Sequence, residues 1–370
     1  MRSNGKLSIE NPHRNYRFWH KVQVHCHSQE SDAKRGQTPR MVEEAYRDAG
    51  YGCVFLTDHN RVTPSPEVAG VLHIDGAEYG MGRHHTLALG VDWPADGQNR
   101  HDHSEAGGSA PHGSRDGIEA IVGCSCSNIL KRLTHIATIQ RAIPVAAHPN
   151  ARHFCTRLTC PHWCGGGWSS QEMVSHAQHY AGMEIFNANN AARRMWSLNR
   201  WDEVLARGSR RVWGLASDDC HDVHDEKTFD RGWILVNSEI DPNDYRNGLV
   251  HPDTLRQDLL ENIRGGNFWA IVRRQQWRAP GTSGSKDDGI WLAVSHSQKQ
   301  ISVAADRPCA TIEFCAGSSS RRGSVAASGS ADFAYDIGDW EDYVRVRVVR
   351  KRDDGQYYEA FSQPLSIRRD

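Results

Sequence analysis

Through the first two-thirds of this chain, short apolar runs alternate with helical patterns, and run after run ends in histidine or a carboxylate. Such alternation implies parallel strands joined by helices, either as a parallel sheet or as a β/α barrel, with the functional groups gathered at the C-terminal ends of the strands. The first run, KVQVHCH, has period two: Val22, Val24 and Cys26 face one way, and Gln23, His25 and His27 the other. TPRMVEEAYRDAG follows as a helix, with Thr38 as N-cap, Pro39 in its first turn and Gly50 at its stop. Met41, Val42, Ala45, Tyr46 and Ala49 form its expected apolar face.

CVFLTDHN, VLHIDGAEY, HTLALGV, IPVAAHPN, MEIFN, RVWGLASDD and GWILVN are the later strand candidates. NILKRLTHIATIQRA, SQEMVSHAQHYAG, RMWSLNRWDEVLARG and PDTLRQDLLENIRGG carry helical periodicity between many of them. Segments 95–117 and 152–170 read as insertions, the first polar and glycine-rich, the second irregular with Cys155, Cys160 and Cys164. Beyond the linker RAPGTSGSKDDG the pattern changes to period-two runs separated by Gly, Ser and Asp turns. The expected organisation is therefore α/β: a barrel over 1–278, followed by a small antiparallel β-sandwich over 285–370.

Taken in order, the polar strand ends are His25 and His27, Asp32, Asp58 and His59, Glu78, His84 and His85, His148, then Asp218, Asp219 and His221. Residues i and i+2 of a strand point to the same side, so His25 and His27 can share one ion, and Asp219 and His221 have the same spacing. Imidazole and carboxylate ligands suit zinc, manganese and iron, which these ligands do not distinguish. Each ion needs three or four protein ligands, so this set implies two or three ions. Each motif alone has an ordinary reading as a turn, a cap or a surface acid; the argument rests on their joint placement. His84 against His85, and Asp218 against Asp219, stay open on the residues alone.

The order HxH, SD, TDH, GxE, HxLxLG, HP and DxH, spanning 21–221, resembles the PHP superfamily of polymerase and histidinol phosphatase metal-dependent hydrolases. The strand-rich tail makes the chain similar to the CehA/McbA-like branch. The family's SDG reads SDA here, with Ala33. The resemblance implies a distorted (β/α)7 PHP-type barrel with up to three ions at its mouth. It implies that His25, His27, Glu78 and Asp219 hold one ion, and that Glu78 bridges to a second, completed by His85 and His148. Asp32, His59 and His221 would hold a third. Asp58 and Asp218 would orient ligands from behind.

Ions of this kind activate a bridging water as a hydroxide that attacks phosphorus or a carbonyl carbon, so no side-chain nucleophile is expected. Consistently, no GxSxG or P-loop motif occurs. The expected activity is phosphoester hydrolysis of a small phosphorylated molecule, with Arg152, Arg193 and Arg194 as candidate phosphate contacts. The competing reading is an amide, carbamate or ester hydrolase, with Trp163 and Trp168 walling an aromatic pocket; a binding protein with structural metals is a third. Trp196 and Trp201 read as core.

A formal net charge of -1 provides no field for nucleic acid or anionic membranes. Arg345, Arg347, Arg350, Lys351 and Arg352 read as the solvent face of a strand. No run reaches the roughly 18 apolar residues of a membrane span, and the start lacks a signal-like core, so a soluble, cytoplasmic protein with reduced thiols is expected.

Overall fold

A computed structural model describes residues 7–81, 83–92, 129–151, 167–189, 196–274, 292–297, 299–305, 308–351 and 356–369. After an N-terminal strand, β1 (Leu7–Glu10), the chain runs through β2 (Phe18–Gln23), α1 (Pro39–Asp48), β3 (Cys53–Leu56), β4 (Leu72–Met81) and β5 (Arg83–Leu89). It continues through α2 (Ile129–Thr138), β6 (Ile143–Ala146), α3 (Ser170–His176), β7 (Gly182–Asn187), α4 (Leu198–Arg207) and β8 (Trp213–Ser217). The pairs β2–β3, β3–β4, β6–β7 and β7–β8 are parallel, while β5 lies antiparallel to both β4 and β6. The antiparallel hairpin replaces a helical crossover where Gly80, at φ +149°, bends the chain; a Cβ there would stand 2.9 Å from His85.

Just past β2 and β8 the two strand extensions meet. Asp219 N–H donates to His25 O at 2.8 Å, and His27 N–H donates to Cys220 O at 3.0 Å. These bonds join the last strand of the series back to the first. Gln23 fills the interior below that junction. Its amide donates to Gly232 O, and its oxygen accepts from the Val24 and His25 N–H groups.

The sheet also leaves this ring. β9 (Gly232–Ser238) pairs with β2 and with β10 (Phe268–Arg274) after α5 (Pro242–Arg246) and α6 (Pro252–Gly265). Three strands then form a separate sheet: β11 (Leu292–His296), β12 (Gln300–Ala305) and β15 (Asp332–Asp336). The remaining strands are β13 (Thr311–Gly317), β14 (Arg322–Ala327), β16 (Tyr343–Lys351), β17 (Tyr357–Ser362) and β18 (Leu365–Arg369). β17 pairs with β10 and β1 with β18, so a continuous mixed sheet runs from the ring into the C-terminal strands. Leu292, Val294, Ile301 and Val303 of the three-stranded sheet pack with Ile312, Phe314, Val344 and Val346 in one core. Each such side chain stabilises by about 1.5–3 kcal/mol when fully buried. Among the described residues there are six helices, none long and apolar enough to cross a membrane.

α1 forms as its sequence predicts, with Thr38 Oγ1 accepting the Met41 N–H. Its buried face differs: Met41 is 40% exposed, and Glu43 is buried instead. The reason is an ion pair across to β4. His73 Nδ1 lies 2.5 Å from Glu43 Oε1, and its Nε2 lies 3.1 Å from Asp75 Oδ1. Burial opposes the imidazolium, but Asp75 and Glu43 outweigh it and raise His73 to about 9 from 6.5. The stabilisation is thus full below the unfolded value of 6.5 and is lost as pH rises through about 9. His73→Gln should cost more at about pH 6 than at about pH 10, by on the order of 3 kcal/mol. Urea unfolding of both proteins at the two pH values checks this; a pH-independent cost would sink it.

The basic strand also departs from expectation. Arg345 and Arg350 are buried rather than solvent-facing. Arg345 forms a bidentate pair with Asp202 of α4, at 2.8 and 2.9 Å. A period-two pattern places Arg345 with Arg347 on one face and Arg350 on the other, but does not show that other elements cover them. Trp201 is fully buried and Trp196 packs on Phe186, as core residues would. Arg352, like the linker RAPGTSGSKDDG, lies outside the described residues.

Candidate metal centre

One end of the ring collects all nine predicted ligands. His25 and His27 follow β2, whose regular pairing stops at Gln23; the Cys26–Cys220 bridge keeps the segment extended beyond it. Asp32 lies on the next loop, His59 follows β3, Glu78 and His85 sit within β4 and β5, His148 follows β6, and Asp219 and His221 follow β8. Their ligand atoms form four overlapping groups, each within 4.8 Å.

At the centre, His25 Nε2 and His27 Nε2 are 3.1 Å apart. Glu78 Oε2 lies 3.2 and 3.3 Å from these nitrogens, and Asp219 Oδ1 lies 3.4 and 3.2 Å from them. A tetrahedron with ligands about 2.0–2.1 Å from its centre has edges of about 3.3–3.4 Å, so the two nitrogens together with either carboxylate oxygen are spaced as ligands of one zinc-sized ion would be. Glu78 Oε2 is buried and accepts no hydrogen bond among the described residues, leaving its charge directed at this point. Such an orphaned carboxylate oxygen suits a cation.

The other Glu78 oxygen, Oε1, lies 2.7 Å from His85 Nδ1 and 2.9 Å from His148 Nε2. Toward solvent, Asp32 lies 3.3 Å from His59 Nε2 and 3.1 Å from His221 Nε2. This outer group is the accessible one: the Asp32 side chain is 43% exposed, against 1% for Glu78.

The electrostatics follow from burying carboxylates among imidazoles. Burial would lower His25, but Asp219, Glu184 and Glu78 prevail and raise it well above the ordinary imidazole range. Burial would raise Glu78, but His59, His85 and His25 hold it well below the usual carboxylate range. Asp219 is held low in the same way, against burial, by His25, His27 and His221. His85 goes the other way: burial prevails over Glu78 and takes it to about 3, which leaves it neutral. Several backbones are also strained. His148, Asp219 and Asn60 have φ of +24°, +50° and +55°. Each such non-glycine conformation costs about 1–3 kcal/mol and persists where the surroundings impose it.

The open alternatives separate cleanly. His84 turns away from the cluster, with Nε2 3.1 Å from Glu172 and its ring against Trp168. Asp218 is turned from the ligands too. It accepts the N–H groups of Asp230, Arg231 and Gly232 at 2.7 Å and the Tyr46 hydroxyl at 3.0 Å. Burial, then Asp230, push it up to about 7. Asp58 accepts from Ser28, Ser31 and Thr63, which fixes the turn between His27 and Asp32. Trp168 is fully buried, its indole N–H donating to His85 O, so it is not a pocket wall. Arg152, Arg193 and Arg194 lie outside the described residues, as do Trp163 and Cys155, Cys160 and Cys164.

Three groups escaped the sequence reading. Glu184 of β7 lies 2.7 Å from His25 Nδ1, Asn187 Nδ2 donates to Asp219 Oδ2 at 3.2 Å, and Asn189 Nδ2 is 3.0 Å from His221 Nδ1. The available signal was the acid inside the apolar run MEIFN, together with the asparagines that follow it. The sequence matches no protein-family model, and no curated protein matches it significantly.

Proposed function

We propose that this chain is a metal-dependent hydrolase of the PHP type, with a distorted (β/α)7 barrel, and that it cleaves a small phosphoester. One observation carries the metal reading: His25 Nε2 and His27 Nε2 stand 3.1 Å apart, Glu78 Oε2 and Asp219 Oδ1 each lie 3.2–3.4 Å from both, and that Glu78 oxygen is buried without a hydrogen-bond donor among the described residues. The same four residues would hold one ion; Glu78, His85 and His148 a second; Asp32, His59 and His221 a third. Divalent ions bound there supply Lewis acidity and bring the pKa of a bound water near neutrality. The chain's own part is to hold imidazoles and carboxylates together at one point, to keep water from the inner carboxylates, and to leave the Asp32 side open to substrate. The phosphoester assignment rests on the motif resemblance.

A second reading, cleavage of an amide, carbamate or ester, is favoured by one feature. Among the described residues on these loops, Lys34 is paired with Asp222 and Arg61 with Glu30, which leaves Arg35 as the exposed cation beside Asp32 without an ion pair. The test compares p-nitrophenyl phosphate, its diester and nucleotide phosphates with aryl amides and carbamates, on metal-analysed protein. His27→Ala serves as the control. Phosphate turnover that vanishes in the control supports the proposal; turnover of carbonyl substrates alone moves the protein to the second reading. Protein that takes up no divalent metal would overturn both.

A further inference from the structure

We infer that Glu184 is a positioning residue that sets the metal-facing geometry of His25, His148 and Asp219 together; this rests on the metal reading above. Glu184 lies within β7, whose residues are buried throughout. A carboxylate in such a place must be met by donors, and four reach it. Oε1 faces His25 Nδ1 at 2.7 Å and accepts the Ser217 hydroxyl at 2.5 Å. Oε2 accepts the His148 N–H at 2.5 Å and an Asn187 amide N–H at 2.9 Å.

Each donor has a consequence at the metal centre. An ionised carboxylate only accepts, so the His25 proton is held at Nδ1. Nε2, the nitrogen left to bind an ion, then faces His27, Glu78 and Asp219. The bond to the His148 N–H ties down a residue whose φ is +24°, and so fixes the turn that brings His148 Nε2 to Glu78. Asn187, held by Glu184, reaches Asp219 Oδ2 and leaves Oδ1 for the centre. One side chain thereby ties together ligands that follow β2, β6 and β8. A polar group that only filled the core would need none of these partners to be ligand-bearing residues.

A carboxylate behind a metal-binding imidazole fixes its tautomer and raises its basicity, and losing it costs ten- to a hundred-fold in metal affinity. The experiment is zinc affinity and stoichiometry by chelator competition on wild type and Glu184→Gln. It is joined by NMR of zinc-loaded protein with 15N-labelled histidine. The expected result is a ten- to hundred-fold weaker tightest site in Glu184→Gln with folded far-UV circular dichroism. A strongly downfield His25 Nδ1–H resonance in wild type should shift or vanish in the variant; a merely structural role would leave that resonance in place. If Glu184→Gln does not fold, Glu184→Asp, which keeps the charge one methylene short, carries the same test and should fall in between. A folded variant that binds zinc as wild type does overturns the inference and leaves the metal reading intact, whereas wild type that takes up none of zinc, manganese and iron overturns both.

Discussion

Glu78→Ala should purify with about two fewer bound ions than wild type and lose activity by roughly 10³-fold or more. Asp32 also turns both oxygens to the cluster, but at its exposed outer side; Glu78 is the buried carboxylate that does so at the centre. Oε2 is 3.2–3.3 Å from His25, His27 and His59, and Oε1 is 2.7 and 2.9 Å from His85 and His148. Alanine would therefore remove a ligand from both proposed ions and take away the one carboxylate that faces all five of these imidazoles. Glu78→Gln separates the two roles. Its amide oxygen can serve one ion, while its NH₂ group presents hydrogens to the other, so it should retain one ion and fall between wild type and alanine. Metal analysis and initial rates on the three proteins, prepared in parallel, decide the point. Equal metal content in wild type and Glu78→Ala would remove Glu78 from the bridging role and the two-ion argument with it.

The legibility of this site follows from what periodicity can and cannot encode. His25 and His27 could be placed together because alternation along a strand is a local rule, and the extended backbone past Gln23 preserves it. His84 and His85 are adjacent, so alternation alone says only that they diverge; the partner that draws His84 away, Glu172, lies on α3. Glu184 is not legible in the sequence, because a single acid in MEIFN resembles any interruption of an apolar run. Its meaning lies in the donors that converge on it from three other segments. The antiparallel turn of β5 against β4 and β6 was equally hidden, since HTLALGV reads the same in either direction. The pairing of β1 with β18 joins the two ends of the chain, a relation that no local pattern carries.

Arg345→Met should destabilise the protein by about 3 kcal/mol, near the lower end of the range for breaking a buried ion pair. Arg345 and Asp202 form two parallel bonds, and their side chains are 4% and 17% exposed. The Tyr343 hydroxyl lies 3.3 Å from Asp202 Oδ1, and the guanidinium lies over the Trp201 ring at 5.1 Å. Removing the arginine leaves Asp202 largely buried without its cation; the residual exposure and the Tyr343 hydroxyl keep the cost from going higher. Yet the intact pair is imperfect, because Arg345 Nη1 is buried with no hydrogen-bond partner among the described residues. That unmet donor offsets part of what the pair gains. The double variant Arg345→Met/Asp202→Leu removes both charges and the orphan donor, so it should recover most of the loss and come close to wild type. Urea unfolding of wild type, both single variants and the double, all in excess chelator so that ion binding does not add to stability, gives the coupling directly. Additive single effects would mean that α4 and β16 are held by the apolar contacts around Tyr343 and Trp201, and that the arginine contributes only its packing.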